Sequence, residues 1–232
     1  MLLLPSAMGW SSPSLPLSKQ LHVSKSSSIH LSHTLSMSGA DRTFTPLRAG
    51  SVVAMVTPMT AKNDIDYPKL TSLLEWHVEQ GTDGAIILGT TGEASTISMV
   101  EREKIIKTAV ATVKDKNFPI IIGTGAIDPT KVIEMNQQAL DCGADAALIV
   151  TPYYVKPPQR ALINHFTTIA DAIPLPVVLY NCPGRTACDM SPETIAKLSQ
   201  HTNIVGCKDA TGDPSRIIVE RDLCGDKFLF WR

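Results

Sequence analysis

The sequence predicts an α/β fold, a (β/α)8 barrel of which about six to seven βα units are present. Three observations predict it. Short apolar strands alternate with helical segments from residue 51 onward. The strand segments are continuously apolar, so both faces must be covered, as in a parallel sheet wrapped by helices. Strict alternation leaves a doubly wound sheet or a barrel. No Gly-x-Gly-x-x-Gly follows the first strand, which argues against the dinucleotide-binding form of the sheet.

Each element has its own signal. Ser51-Val52-Val53-Ala54-Met55-Val56 is β-branched, short and closed by Thr57-Pro58, hence a strand. Leu70, Leu73, Leu74, His77 and Val78 recur at helical spacing. Residues 84–88 form a second strand, and Ile105, Ile106, Ala109, Val110 and Val113 share a helical face. Residues 119–123 are a third strand, followed by a helix through Val132, Ile133, Met135, Ala139 and Leu140. Residues 146–150 and 176–180 are the fourth and fifth strands, with Leu162, Phe166, Ile169 and Ala170 on the helix between them. Ser191-Pro192-Glu193 opens the next helix, with serine as N-cap and proline at the first turn. Residues 204–207 are a sixth strand, residues 214–223 a sixth helix, and Phe228-Leu229-Phe230 starts a seventh strand.

The first forty residues differ in kind. They contain no Asp or Glu and are rich in serine, with Lys19 and Lys25 as weak positive charge. That composition predicts an organellar transit peptide over residues 1–48, with the folded domain over 49–232. Scarce arginine favours a plastid address, with the mitochondrion as alternative. The chain has 21 basic and 22 acidic residues, so no global field points to nucleic acid or a membrane surface. No apolar run approaches the roughly 20 residues of a spanning helix. The five cysteines form no CxxC pair and read as scattered apolar residues in a reducing compartment.

In a barrel the active site forms where strands end and βα loops begin. Here those points carry Gly89-Thr90-Thr91-Gly92-Glu93, Thr151-Pro152-Tyr153-Tyr154, Tyr180-Asn181-Cys182-Pro183-Gly184-Arg185-Thr186, and Lys208. Taken singly, each has an ordinary explanation: a turn, strand-end packing, a surface arginine, a lysine where a strand meets water. Together they describe amine catalysis. Lys208 is placed to attack a ketone carbonyl and form a Schiff base. Thr90, Tyr154 and Tyr180 are hydroxyl groups of the kind that relay protons. The backbone N–H groups of Gly89-Thr90-Thr91-Gly92 suit a carboxylate, and Arg185 offers a planar fork for a second one. No cofactor is called for. The histidines sit in the leader or in and near helices, so no metal-ligand cluster is expected.

These four motifs, in this order, resemble the dihydrodipicolinate synthase family from about Gly50 to Lys227. The resemblance implies a TIM barrel of the class I Schiff-base aldolase type. It implies condensation of pyruvate with L-aspartate 4-semialdehyde, at the head of the diaminopimelate route to lysine. By the family pattern Lys208 carries the pyruvate Schiff base and Tyr180 assists protonation. Thr90 links Tyr180 to Tyr154, which reaches in from a neighbouring subunit. Thr91 holds the pyruvate carboxylate, and Arg185 orients the relay and the semialdehyde carboxylate. Sharing Tyr154 implies a homodimer or homotetramer. Relatives on the same scaffold, N-acetylneuraminate lyase and 4-hydroxy-2-oxoglutarate aldolase, keep the lysine but usually vary the Gly-Thr-Thr-Gly-Glu and Arg185 positions.

Two departures from the family pattern carry expectations. The places that often hold a lysine-feedback pocket have Ala94, Ser95, Met99, Ile127 and Lys131, and Lys131 would repel a cationic effector. Lysine inhibition is therefore expected to be weak or absent. A full barrel takes about 250 residues, whereas about 180 follow Gly50. The expectation is a barrel without its last units and without the family's helical C-terminal domain: either an active lyase or an inactive fragment.

Overall fold

The computed structural model describes residues 43–232. The leader expected over residues 1–48 falls almost wholly outside the described residues. Among the described residues, Phe44, Thr45 and Leu47 already contact the barrel ahead of Ala49. The Thr45 N–H donates to Asp145 Oδ1 at 2.7 Å, and Leu47 packs against the interior cluster.

Seven parallel strands follow one another in sequence order: β1 (Val52–Ala54), β2 (Gly84–Ile87), β3 (Ile120–Gly123), β4 (Ala146–Val150), β5 (Val177–Asn181), β6 (Ile204–Asp209) and β7 (Leu229–Trp231). Between them run α1 (Tyr67–Glu79), α2 (Met99–Thr112), α3 (Pro129–Asp141), α4 (Gln159–Ala172), α5 (Pro183–Thr186), α6 (Pro192–Leu198) and α7 (Ser215–Cys224). The expected alternation is present. Two short pieces were not legible as helices: the four-residue α5 and a 3₁₀ turn at Ala94–Thr96.

The helices start where their caps dictate. Asp66 accepts from the Lys69 N–H with Pro68 in the first turn of α1, and Asp128 caps α3 ahead of Pro129. Ser98 and Glu101 cap α2 reciprocally. Ser191 caps α6 as its sequence predicts.

The continuously apolar strands divide their side chains between two cores. Ala85, Ile87, Ile120, Ile122, Ala147, Ile149, Val177 and Leu179 face outward and pack under the helices with Leu70, Leu74, Leu162 and Phe166. Ile86, Ile121, Ala146, Leu148, Val178 and Tyr180 face inward and form a second, smaller cluster. This split is what a barrel-like sheet covered by helices requires, with period-two alternation hidden inside an all-apolar run.

One irregularity governs the site. Val177 pairs with Ile204, but Val178 pairs with Gly206, so Val205 is an extra residue in β6. Beyond this bulge Cys207 is opposite outward-facing Leu179, and Lys208 is opposite inward-facing Tyr180. If Val205 paired with Val178 in unbroken register instead, the parity would invert and Lys208 would face the helices. Gly206 is needed at this point because a Cβ would lie 2.7 Å from the Leu229 carbonyl oxygen and 2.8 Å from the Trp231 ring.

Candidate active site

The residues at the carboxyl ends of β2 to β5 surround a cavity of about 530 Å³. Of the expected site residues, Gly89, Thr90, Tyr180 and Arg185 line it directly, together with Tyr153, Cys182 and Thr186. Lys208 joins through Tyr180: its Nζ lies 4.9 Å from the centre of the Tyr180 ring. The sequence placed Lys208 beyond a strand ending at Cys207. It is instead the fifth residue of β6, which runs on to Asp209. The backbone there is hydrogen-bonded on both sides, with Tyr180 of β5 and Trp231 of β7 as register partners.

The electrostatics suit an amine nucleophile. Burial pushes the Lys208 ammonium below the ordinary lysine value, with Cys182 acting in the other direction. The neutral, nucleophilic form is thereby favoured. Burial pushes the Tyr180 phenol up, and Cys182 adds to this, while a hydrogen bond with Thr90 and the charge of Arg185 pull it down. Tyr180 is therefore a protonated hydroxyl at neutral pH, in contact with a second hydroxyl.

The loop after β2 is held tightly. Leu88 has φ 58° and Glu93 has φ 53°, both in the left-handed region. Such conformations in non-glycine residues cost of order 1–3 kcal/mol each and persist only where surroundings enforce them. Here β3 enforces the bend: a Cβ on Gly123 would lie 2.0 Å from the Leu88 carbonyl oxygen, so only glycine lets the two strands approach. The Gly92 N–H donates to the Gly89 carbonyl at 3.1 Å, and the Gly92 carbonyl accepts from Thr57 Oγ1 at 2.6 Å. Among the described residues no backbone carbonyl accepts from the N–H groups of Thr90 or Thr91. Both threonines are exposed at the mouth of the site, whereas Gly92 is buried beneath them.

Arg185 is set by the loop after β5. The Asn181 side-chain amide donates to Asp189 Oδ1 at 2.8 Å and its oxygen accepts from the Met190 N–H at 3.1 Å, which pins residues 187–190. Thr151 Oγ1 donates to Thr186 Oγ1 at 3.2 Å, tying the end of β4 to α5. Tyr153 lines the cavity, but Tyr154 does not; it is 86% exposed with φ 69°. Tyr154 is thus not gathered into the site of its own chain.

Arg102 was not legible in the sequence. It is 3% exposed, lines the cavity beside Ala94 and Ser95, and donates through Nη2 to the Gly123 carbonyl at 3.0 Å. Burial pushes its guanidinium down to about 10, and among the described residues no carboxylate pairs with it. Its only signal was an arginine in phase with Ile105, Ile106 and Ala109 on the apolar face of α2. Lys131 is exposed and its charge is met by Glu134 at 2.8 Å, whereas Arg102, beside Ala94 and Ser95, is paired with no carboxylate among the described residues.

Comparison with known proteins gives the same direction. The model of the dihydrodipicolinate synthetase family matches residues 47–232. The 4-hydroxy-tetrahydrodipicolinate synthase of Coxiella burnetii (strain RSA 493 / Nine Mile phase I) is 55% identical over 168 residues, covering 72% of this chain and 58% of its own. That of Alcanivorax borkumensis is 48% identical over 182 residues, 78% of this chain and 62% of its own. The crystal structure of the chloride inhibited dihydrodipicolinate synthase from Acinetobacter baumannii complexed with pyruvate superposes with a TM-score of 0.76 at 48% identity, over 78% of this chain and 62% of that one. The chain therefore spans about three fifths of the length of the curated relatives it matches.

Proposed function

This chain belongs to the dihydrodipicolinate synthetase family, and from that premise we propose that it carries the Schiff-base site of a 4-hydroxy-tetrahydrodipicolinate synthase, a lyase. The observation that carries the proposal is the inward-facing register pair of Lys208 and Tyr180, with a half-buried amine 4.9 Å from the phenol ring. The substrates are pyruvate and L-aspartate 4-semialdehyde. The neutral Lys208 amine adds to the pyruvate ketone carbon, and loss of water gives an imine. Loss of a methyl proton gives the enamine, whose carbon adds to the semialdehyde aldehyde. Tyr180 and Thr90 serve these proton movements. The free N–H groups of Thr90 and Thr91 receive the pyruvate carboxylate, and Arg185 receives the carboxylate of the semialdehyde.

The exposed Tyr154, held in the left-handed region, supports a role outside its own chain: completing the relay in a second copy of a homodimer or homotetramer. The buried positive charge of Arg102 supports weak lysine inhibition, since a cationic effector entering that part of the cavity meets an unneutralised guanidinium. The acid-free, serine-rich residues 1–40 support plastid import. Steady-state turnover with pyruvate plus aspartate 4-semialdehyde, compared with cleavage of 4-hydroxy-2-oxoglutarate, tests the reaction. We expect kcat/KM to favour the semialdehyde condensation. Faster cleavage of 4-hydroxy-2-oxoglutarate would make the protein an aldolase of the related type.

A further inference from the structure

The outward face of β6 carries buried charges that the proposed chemistry leaves unused. Asp209 is 1% exposed, and Glu220 on α7 is fully buried. Arg216 lies between them, its Nε 3.5 Å from Asp209 Oδ2 and 3.3 Å from Glu220 Oε1. The same guanidinium donates to Asp189 Oδ2 at 2.9 Å and to the Met190 carbonyl at 2.7 Å. One cation thus serves three carboxylates, two of them out of contact with water. Asp209 Oδ1 is satisfied by the N–H and hydroxyl of Thr211. Asp209 Oδ2 and Glu220 Oε2, however, are buried with no hydrogen-bond partner. Two adjacent buried carboxylates cannot both remain ionised with only one arginine to compensate them. A single proton on Glu220 removes both the excess charge and the missing bond. Burial, and then Asp209, push the Glu220 carboxyl up to about 7 against the pull of Arg216. The other groups facing the cluster do not change its balance. Burial holds the Cys207 thiol of β6 well above its ordinary value and raises Cys224 of α7, while Glu193 of α6 and Asp213 ahead of α7 are exposed carboxylates that feel the charge of Arg216.

We propose that Glu220 is a positioning residue whose protonated carboxyl donates a hydrogen bond to Asp209 Oδ2, and so holds the end of β6 that presents Lys208 to the interior. Asp209 follows Lys208 directly and shares its strand register, with the Ala210 N–H donating to the Asn181 carbonyl at 2.8 Å. When the proton leaves, two anions face each other across the β6–α7 contact, and the strand end shifts with Lys208 on it. The hydrogen bond is argued from the two orphaned buried oxygens on either side of Arg216; the consequence for Lys208 rests on the Schiff-base reading.

Two measurements on the full chain test the inference. In infrared difference spectra across a pH titration, we expect a protonated-carboxyl band that disappears near neutrality and is absent from Glu220→Gln. If that variant does not fold, carbon-13 labelling of glutamate in the wild type assigns the band instead. Borohydride trapping of labelled pyruvate gives the second readout. Gln keeps the N–H donor at every pH, so the trapping rate of Glu220→Gln relative to wild type should rise several-fold between pH 6 and 8.5. A merely structural side chain would give a ratio that does not change with pH. No titrating carboxyl band, or a flat ratio, overturns the proposal. If wild type forms no adduct at any pH while the band titrates, the Schiff-base reading fails and the Glu220–Asp209 hydrogen bond stands.

Discussion

At the residue scale, Lys208 and Tyr180 form one functional pair, because each sets what the other can do. The amine must be neutral to attack, and its half-buried place beside the ring supplies that by desolvation rather than by a neighbouring cation. The sign gives a test. With its value depressed in the folded protein, Lys208 should trap pyruvate with a rate that rises with pH and levels off below the ordinary lysine value. In the proposed reaction Tyr180 keeps its proton and passes it on, so Tyr180→Phe should lower kcat by about 10²–10⁴ while circular dichroism stays native. A kcat within a factor of two of wild type would remove Tyr180 from the relay. These two residues were legible in the sequence because a lysine and a tyrosine at strand ends are chemically odd there. Arg102 and Glu220 were not. Arginine in an apolar helical stripe and glutamate in a polar helix both look like ordinary surface residues until tertiary packing buries them.

At the scale of elements, the decisive feature is the bulge at Val205. Nothing in Asn203-Ile204-Val205-Gly206-Cys207-Lys208 announces it, since either parity of that run is apolar enough for a doubly covered strand. The strand was legible; which face Lys208 takes was not. Deletion of Cys207, beyond the bulge, would set Lys208 opposite outward-facing Leu179 and turn it toward α7. We expect loss of pyruvate trapping, by about 10³-fold or more given the role of a nucleophile, with strand content retained. Trapping at the wild-type rate would show that the strand register does not set the face. The strand and helix sequence itself was read from β-branched runs, helical spacing and the cap at Ser191, which holds in the structure; the caps at Asp66, Ser98 and Asp128 are seen only in the structure. The short α5 carried no such signal, because four residues are too few for periodicity. Its ends are instead fixed by Thr186 and Asn181 across the chain.

At the scale of the whole molecule, two apolar layers hold the fold, and the buried acid between β6 and α7 makes its stability depend on pH. Glu220 has a folded-state value near 7, against an ordinary 4.5. The native state therefore keeps a proton that the unfolded chain gives up. Stability from this group is complete below about pH 4.5 and is lost as pH rises to about 7. The full loss is on the order of 3 kcal/mol at 1.36 kcal/mol per unit. The stability of Glu220→Gln minus that of wild type, from urea unfolding, should rise across that interval and then stay level. A difference that is constant with pH would mean that Glu220 is ionised in the native state. Barrel architecture followed from sequence because alternation and all-apolar strands admit few alternatives. The division into inner and outer cores did not, since it is written in strand register rather than in residue type.

The central claim is that Lys208, turned inward by β6, is the amine that captures a 2-keto acid. It is tested most directly by incubating the folded chain with pyruvate and borohydride and mapping the reduced adduct by peptide mass spectrometry. A single modified site is expected, Lys208, lost in Lys208→Arg. An adduct on another lysine, or none in protein whose circular dichroism is native, would contradict it.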